Sequence, residues 1–270
     1  MGIEGSPVSI VALTHNGLEV TRACFDRLPQ TTQDYELIVV DNASTDGTAD
    51  YLRELEQSDE RVRVFSNTTN RGFAVGCNQG VRNARHEHIC LLNNDTEPLP
   101  GWLDAMRGVL DEGVGAVGAK LLYPDSTIQH AGMVFVYRPG LRPSFLPVHR
   151  FRNAPADLPE ANVLEEVPAV TAACLFTTKS VWKRVNGMDA GYVKAYYEDV
   201  DFNLKVRDAG MKIIYQPEAT LIHREGGTTS ELAGTPDDPE QHFSANELRY
   251  ILRWNRKLFL GLRDVGSSPK

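Results

Sequence analysis

Through the first half of the chain, short apolar runs alternate with stretches of helical spacing. Residues 8–13, 35–40 and 88–92 are continuous apolar runs of strand length, and 61–65 alternates charged and apolar positions as a half-buried strand does. Between them, 18–28, 45–56 and 72–84 carry the spacing of helices that bury one face. A further amphipathic helix is predicted over 102–110, followed by an apolar segment at 114–122. Strands that alternate with helices predict an α/β fold with a mixed, mainly parallel sheet flanked by helices.

The second half changes character. Residues 129–137 read as strand, and 138–162, rich in Pro and Arg with little periodicity, as a long loop of the kind that is functional or disordered. A strand is predicted over 167–177, then a short helix capped by Ser180 and ending near Gly187. Residues 199–209 form a helix stopped by Gly210, and 212–215 and 219–222 are strands. A polar, Gly-rich loop at 224–238 precedes a C-terminal amphipathic helix at 243–262 with a basic, aromatic face. Residues 1–7 read as a flexible leader.

At 270 residues the chain supports a substantial core. A formal charge of −8 argues against nucleic acid as a partner. Cys24, Cys77, Cys90 and Cys174 are scattered without a CxxC pair, which suits reduced core thiols of a cytoplasmic protein better than a zinc site. No apolar run approaches the roughly 18 residues of a membrane-spanning helix, and no signal peptide is recognised.

Polar residues follow each early strand. Thr14, His15 and Asn16 follow the first, and Asp41, Asn42, Ser44 and Asp46 the second. Asn93, Asn94 and Asp95 end the fourth. Open α/β sheets bind ligands at the carboxyl ends of their strands, so three such ends predict a nucleotide crevice. A carboxylate among amides suits Mg²⁺, which takes one or two carboxylates plus substrate phosphates. Turn formation and helix capping are the alternative for Asp41 and Asp46. Neither GxGxxG nor GxxxxGK[ST] occurs.

NRGFAVGCNQG at 70–80 allows close backbone approach at Gly72 and around Asn78, with Arg71 available to a phosphate. A Gly-rich helix start packed on the sheet explains the same residues. In AYYEDVDFNLKV at 195–206, Glu198, Asp199 and Asp201 crowd one helix start, more carboxylates than capping needs. Asp199 or Glu198 is a candidate general base, and Asp201 is expected to be structural. His223 ends a strand, and imidazole with carboxylate and diphosphate is a reasonable set for Mn²⁺ or Mg²⁺. Residues 126–156 hold Arg138, Arg142, Arg150, Arg152, His130 and His149 and no acidic residue, which points to an anionic partner.

Taken in order, VSIVALTHNG, ELIVVDNASTDGT, NRGFAVGCNQG, LLNNDTEPLPGWL, AVTAACLFTTKSVW and YYEDVDFNLKVRDAGMKIIYQPEATLIH resemble family-2 glycosyltransferases of GT-A fold. The similarity is greatest to the rhamnosyltransferase-like branch that builds bacterial O-antigen, capsule and cell-wall glycans. It implies inverting transfer from a nucleoside-diphosphate sugar, dTDP- or UDP-linked, to a glycan acceptor. Thr14, Asn16 and Asp41 would hold base and ribose, with Asn42, Arg71, Gly72, Asn78, Asn93 and Asn94 completing the donor site. Asp95 would stand at the metal-binding end of the family's Asp-x-Asp motif, with His223 the second ligand of Mn²⁺ or Mg²⁺ and Asn93 replacing the first Asp. Asp199, with Glu198, would take the place of the catalytic base. Ala172 stands where relatives often carry Gly.

Gln129, His130, Arg150, Arg152 and Tyr197 are the candidate acceptor residues. A polyprenyl-diphosphate-linked glycan at the inner face of the cell membrane would satisfy the arginines. On this basis 8–238 is one GT-A domain, with a nucleotide-sugar half at 8–123 and an acceptor half at 124–238, and 239–270 is a helix and tail. Two rivals are a catalytically silent sugar-nucleotide or glycan-binding module and a nucleotidyltransferase. A silent module has no need of a base, and THNGLEV lacks the Gly-rich basic signature expected of the second.

Overall fold

The computed structural model describes residues 5–224, 234, 238 and 240–261. Most of the leader's first residues, most of the loop expected at 224–238 and the tail after 261 lie outside that set. The first half contains β1 (Val8–Thr14), α1 (Leu18–Thr31), β2 (Tyr35–Asp41), α2 (Thr48–Ser58), β3 (Val62–Ser66), α3 (Phe73–Asn83) and β4 (His88–Asn93). There follow β5 (Thr96–Pro98), α4 (Trp102–Gly108), β6 (Val114–Leu122), β7 (Ile128–His130), β8 (Met133–Arg138) and β9 (Ser144–His149). The remainder is β10 (Glu165–Glu166), β11 (Cys174–Thr178), α5 (Lys179–Arg184), α6 (Glu198–Asp208), β12 (Lys212–His223) and α7 (Glu240–Gly261).

The central sheet has the order β10-β12-β6-β11-β4-β1-β2-β3. Its β4-β1-β2-β3 run is parallel, as is β12 with β6, while β11 lies antiparallel between the two groups. The register sets the site. Thr14 pairs with Asp41 across β1 and β2, and Leu13 with Asn93 across β1 and β4, so the polar strand ends form one edge. Strands β1, β2 and β4 are buried on both faces, which explains their continuous apolar runs. One core cluster packs α1 and α4 on one face, and another packs α3, α5 and α6 on the other. All four cysteines are free and buried.

Several boundaries differ from the sequence expectation. Helix α2 begins at Thr48, because Asp46 accepts hydrogen bonds from the backbone N–H groups of Leu18 and Thr48 and so joins the two strand-end loops. The expected loop at 138–162 contains β9, which pairs with β8 in a separate hairpin; prolines hid its short alternation. Of 167–177 only the end belongs to a strand, since 171–173 leave the ladder to floor the cavity described below. Helix α5 is capped by Thr178, not Ser180: its hydroxyl oxygen accepts from Val181 N at 3.0 Å. The two strands expected at 212–222 are one, with an irregularity between Gln216 and Thr220.

Helix α7 buries Asn246, Tyr250, Trp254 and Leu258 at a four-residue spacing. The Trp254 indole donates to buried Asp201 at 2.7 Å, and Arg253 lies 3.2 Å from the same carboxylate. Asp201 therefore ties α6 to α7.

Candidate functional site

A cavity of about 520 Å³ opens at the carboxyl ends of β1, β2 and β4, against the start of α6. Thr14, Asn42, Gly72, Asn93, Asn94, Asp95, Gln129, Arg152, Tyr197, Glu198, Asp199 and His223 line it. Asn16, Asp41, Arg71, Asn78, His130 and Arg150, the other sequence candidates, do not.

The edge formed by the strand ends is built from cross-strand hydrogen bonds. Thr14 Oγ1 donates to Asp41 Oδ1 at 3.0 Å, and the Ser44 hydroxyl donates to the same oxygen. Asp41 is buried behind Thr14 and holds the wall instead of facing the cavity. Asn16, at a left-handed φ of 61°, is bound by the second loop: its Oδ1 accepts from Thr45 N at 2.7 Å. Gly72 has φ 82°, and a Cβ there would stand 3.0 Å from the Lys194 backbone, so glycine is required on both counts. The adjacent Arg71 is exposed. Asn78 faces away: its amide bonds Met188 O at 2.8 Å and the Trp182 indole at 3.2 Å, so it joins α3 to the loop after α5.

Asp95 and His223 meet at the centre of the edge. His223 Nε2 lies 3.0 Å from Asp95 Oδ1, and its Nδ1 lies 2.6 Å from Gln129 Oε1. An amide oxygen only accepts, so Nδ1 carries a proton, and in the neutral ring the Nε2 lone pair faces a carboxylate. Two electron-rich atoms facing each other are stable with a cation shared between them, or with the ring protonated. Orientation of a metal-ligating imidazole through its other nitrogen is the usual supporting arrangement. The pair therefore fits a divalent cation completed by substrate oxygens. Among the described residues no group of three or more His, Cys, Asp or Glu is gathered for a metal.

Across the cavity, α6 begins with Glu198 and Asp199. Lys194, Tyr196 and Tyr197, none of them glycine, have positive φ of 62°, 81° and 73°. Strained backbone of this kind persists only where surrounding contacts enforce it. Here Lys194 Nζ donates to Asn70 O at 3.0 Å, and Tyr197 Oη donates to Glu247 at 3.0 Å. Asp199 accepts from Ala172 N at 3.2 Å and Val200 N at 2.7 Å. Burial raises its carboxyl above the usual range, and these bonds oppose the rise. Burial, then the nearby Asp199, push Glu198 higher, to about 8. Glu198 Oε2 is buried with no hydrogen-bond partner among the described residues. One carboxylate of the pair is thus favoured as the acceptor of a proton while the other stays protonated.

Two arginines of the arginine-rich segment are neutralised by carboxylates outside it. Arg138 pairs with Glu247 at 2.9 Å and Arg150 with Glu165 at 2.6 Å, so the anionic partner expected for Arg150 is a carboxylate of this chain. Arg152 lines the cavity, its Nε donating to Tyr123 Oη at 2.7 Å. His130 is fully buried, which pushes its ring well below the ordinary histidine range.

Sequence reasoning missed Thr171, Lys194 and Tyr196 as cavity residues. Thr171 carried a usable signal, a polar residue in an otherwise apolar run. Lys194 carried none, because its place depends on a loop fold.

Residues 9–152 match the model of the family described as Glycosyl transferase family 2. An uncharacterized protein of Sinorhizobium fredii is 34% identical over 99% of this chain, which spans 31% of that relative. An N-acetylglucosaminyl-diphospho-decaprenol L-rhamnosyltransferase of Mycobacterium tuberculosis is 24% identical over 94% of this chain and 91% of its own length. A solved mannosyltransferase of Pyrobaculum calidifontis, in complex with GDP-Man and Mn²⁺, shares the fold with a TM-score of 0.64. It is 19% identical and covers 99% of this chain and 67% of its own.

Proposed function

This chain belongs to glycosyl transferase family 2, and we propose that it inverts an anomeric centre while moving a sugar from a nucleoside diphosphate to a glycan hydroxyl. The observation that carries the reading is one cavity holding the Asp95–His223 pair on one wall and the Glu198–Asp199 pair on the other. The donor is a dTDP- or UDP-sugar, and the acceptor is a polyprenyl-diphosphate-linked glycan of bacterial surface polysaccharide synthesis. The decaprenol-linked acceptor in the name of the Mycobacterium relative supports that acceptor class.

Asp95 and His223 are the residues that would hold Mn²⁺ or Mg²⁺, and such an ion would supply charge stabilisation to a departing diphosphate. Asp199 takes the acceptor hydroxyl proton as the new glycosidic bond forms and the anomeric C–O bond to the diphosphate breaks. With one carboxylate base and no protein nucleophile, the displacement is direct and the anomeric centre inverts. Glu198, pushed up to about 8 chiefly by burial, holds its proton near neutral pH beside Asp199. Gly72 lets the Lys194 backbone close over the cavity, and Thr14 and Asn42 line the nucleoside end of the donor.

The test is a panel of UDP-, dTDP- and GDP-sugars with Mn²⁺ or Mg²⁺ and a polyprenyl-diphosphate glycan. Metal-dependent release of nucleoside diphosphate with a new glycosidic product is expected. Tight donor binding without release in any pairing would return the silent binding module.

A further inference from the structure

Residues 193–197 lead straight into α6, whose first two residues are Glu198 and Asp199. The segment belongs to no helix or strand, so its backbone groups must find partners elsewhere. Its course is also locally disfavoured. Lys194, Tyr196 and Tyr197 all take left-handed φ values, which a residue with a Cβ adopts at a cost. Something outside the segment therefore holds it in place.

One buried side chain on α7 meets three of those backbone groups. Asn246 Oδ1 accepts from Val193 N at 3.0 Å, and its Nδ2 donates to Val193 O at 2.9 Å and to Ala195 O at 2.8 Å. The amide thus spends both its donor hydrogens and an acceptor oxygen on this one segment. Helix α7 adds two bonds through side chains: Tyr196 Oη donates to Glu240 at 2.8 Å and Tyr197 Oη to Glu247 at 3.0 Å. On the opposite side the Lys194 carbonyl accepts from Phe73 N at 2.6 Å, at the start of α3. The left-handed residues are gripped between two helices. Lys194, Ala195, Tyr196 and Tyr197 line the cavity together with Glu198 and Asp199, whereas Asn246 stands behind them.

We propose that Asn246 is a positioning residue: from outside the cavity its amide fixes the course of 193–197, and so fixes where α6 presents its first carboxylates. This rests on the reading of Asp199 as the base. A segment released from Asn246 would relax towards ordinary φ values and carry Glu198 and Asp199, its immediate successors, out of register with the acceptor. Helix α7 then belongs to the transfer machinery, although the sequence pattern closed the catalytic domain at 238. Asp95, His223, Thr14 and Asn42 take no hydrogen bond from Asn246, so the nucleotide end of the cavity is independent of it.

Trypsin reads the segment without an activity assay, because Lys194 lies inside it and cleavage needs a released backbone. Asn246→Ala removes all three bonds, so cleavage after Lys194, followed by mass spectrometry, should be faster by about tenfold or more. In the same variant kcat should fall by about tenfold or more, the usual penalty of a misplaced reacting group. Calorimetric binding of UDP or dTDP with Mn²⁺ should be unchanged. The control is Leu258→Ala, a buried α7 residue that bonds nothing in the segment; it should lower the thermal midpoint and leave both cleavage and kcat near wild type. Equal cleavage in the two variants, or faster cleavage with kcat intact, would reduce Asn246 to a packing residue of α7. Amide exchange in the unsubstituted chain needs no variant to fold. Val193 N–H should be as protected as the core amides of α7, and exchange at the rate of an open loop overturns the proposal. Should the unsubstituted chain transfer no sugar, the functional reading falls, and cleavage and exchange still decide whether Asn246 holds the segment.

Discussion

Asp95 Oδ1 and His223 Nε2, 128 positions apart in the chain, lie 3.0 Å from each other in a buried contact. The antiparallel pairing of β5 with β12, in register at Thr96 and His223, brings them together. Gln129, bonded to the far side of the imidazole at 2.6 Å, fixes which nitrogen faces the carboxylate.

Metal affinity should depend on that arrangement. Asp95→Ala and His223→Ala should abolish Mn²⁺-dependent binding of a nucleoside diphosphate in calorimetry. Gln129→Leu, which removes only the orienting bond, should weaken it by about 10–100-fold. Unchanged Mn²⁺ dependence in the Asp95 and His223 variants would place the cation elsewhere.

Removing basicity at Asp199 should slow chemistry and spare donor binding. Asp199→Asn keeps the side chain's shape, so turnover should fall by about 10²-fold or more while the donor's dissociation constant is preserved. Retained turnover would transfer the role to Glu198.

Glu198 should make stability depend on pH. Its carboxyl is raised to about 8 in the folded protein, chiefly by burial, from an ordinary value of 4.5. The folded state therefore binds its proton more tightly than the unfolded chain does. The resulting stabilisation is full below about 4.5 and is lost as pH rises towards 8. Glu198→Gln cannot ionise, so its thermal midpoint should gain on wild type between pH 5 and 8 and run parallel above that. A constant difference across this range would contradict the raised value.

The two arginines after β9 should behave differently. Arg152 faces the cavity and Arg150 is held by Glu165 at 2.6 Å. Arg152→Ala should raise the acceptor's KM and leave the donor's unchanged, whereas Arg150→Ala should affect neither. Equal effects on acceptor KM would mean that Arg150 leaves Glu165 when the acceptor binds.

Helix α7 should be coupled to the site through Asp201. Trp254→Phe removes the 2.7 Å indole bond to this fully buried carboxylate. Loss of a donor to a buried charge costs about 1–3 kcal/mol, which the midpoint of urea unfolding would register. No change in midpoint would show Arg253, Lys205 and Tyr192 together sufficient to hold Asp201.

The alternation of apolar runs and helical spacing determined the α/β class by itself, because strands buried on both faces must be continuously apolar. Polar residues at the ends of β1, β2 and β4 marked the cavity edge for the same local reason: a buried strand ends where its side chains become polar. The Glu198–Asp199 pair was equally visible, as more negative charge than one helix start requires. Only the tertiary structure decided what these residues touch. Register turned Asp41 inward to Thr14 and Ser44, and helix packing turned Asn78 towards Met188 and Trp182. Glu165, just past the arginine-rich segment, and Glu247, far beyond it, neutralised two of its charges. The contact of His130 with His149, Nδ1 to Nδ1 at 3.1 Å, lay furthest from the sequence, since it joins the ends of two strands that belong to different sheets. Local pattern reports what a segment buries; partners chosen across the chain depend on strand order and loop geometry, which no short window encodes.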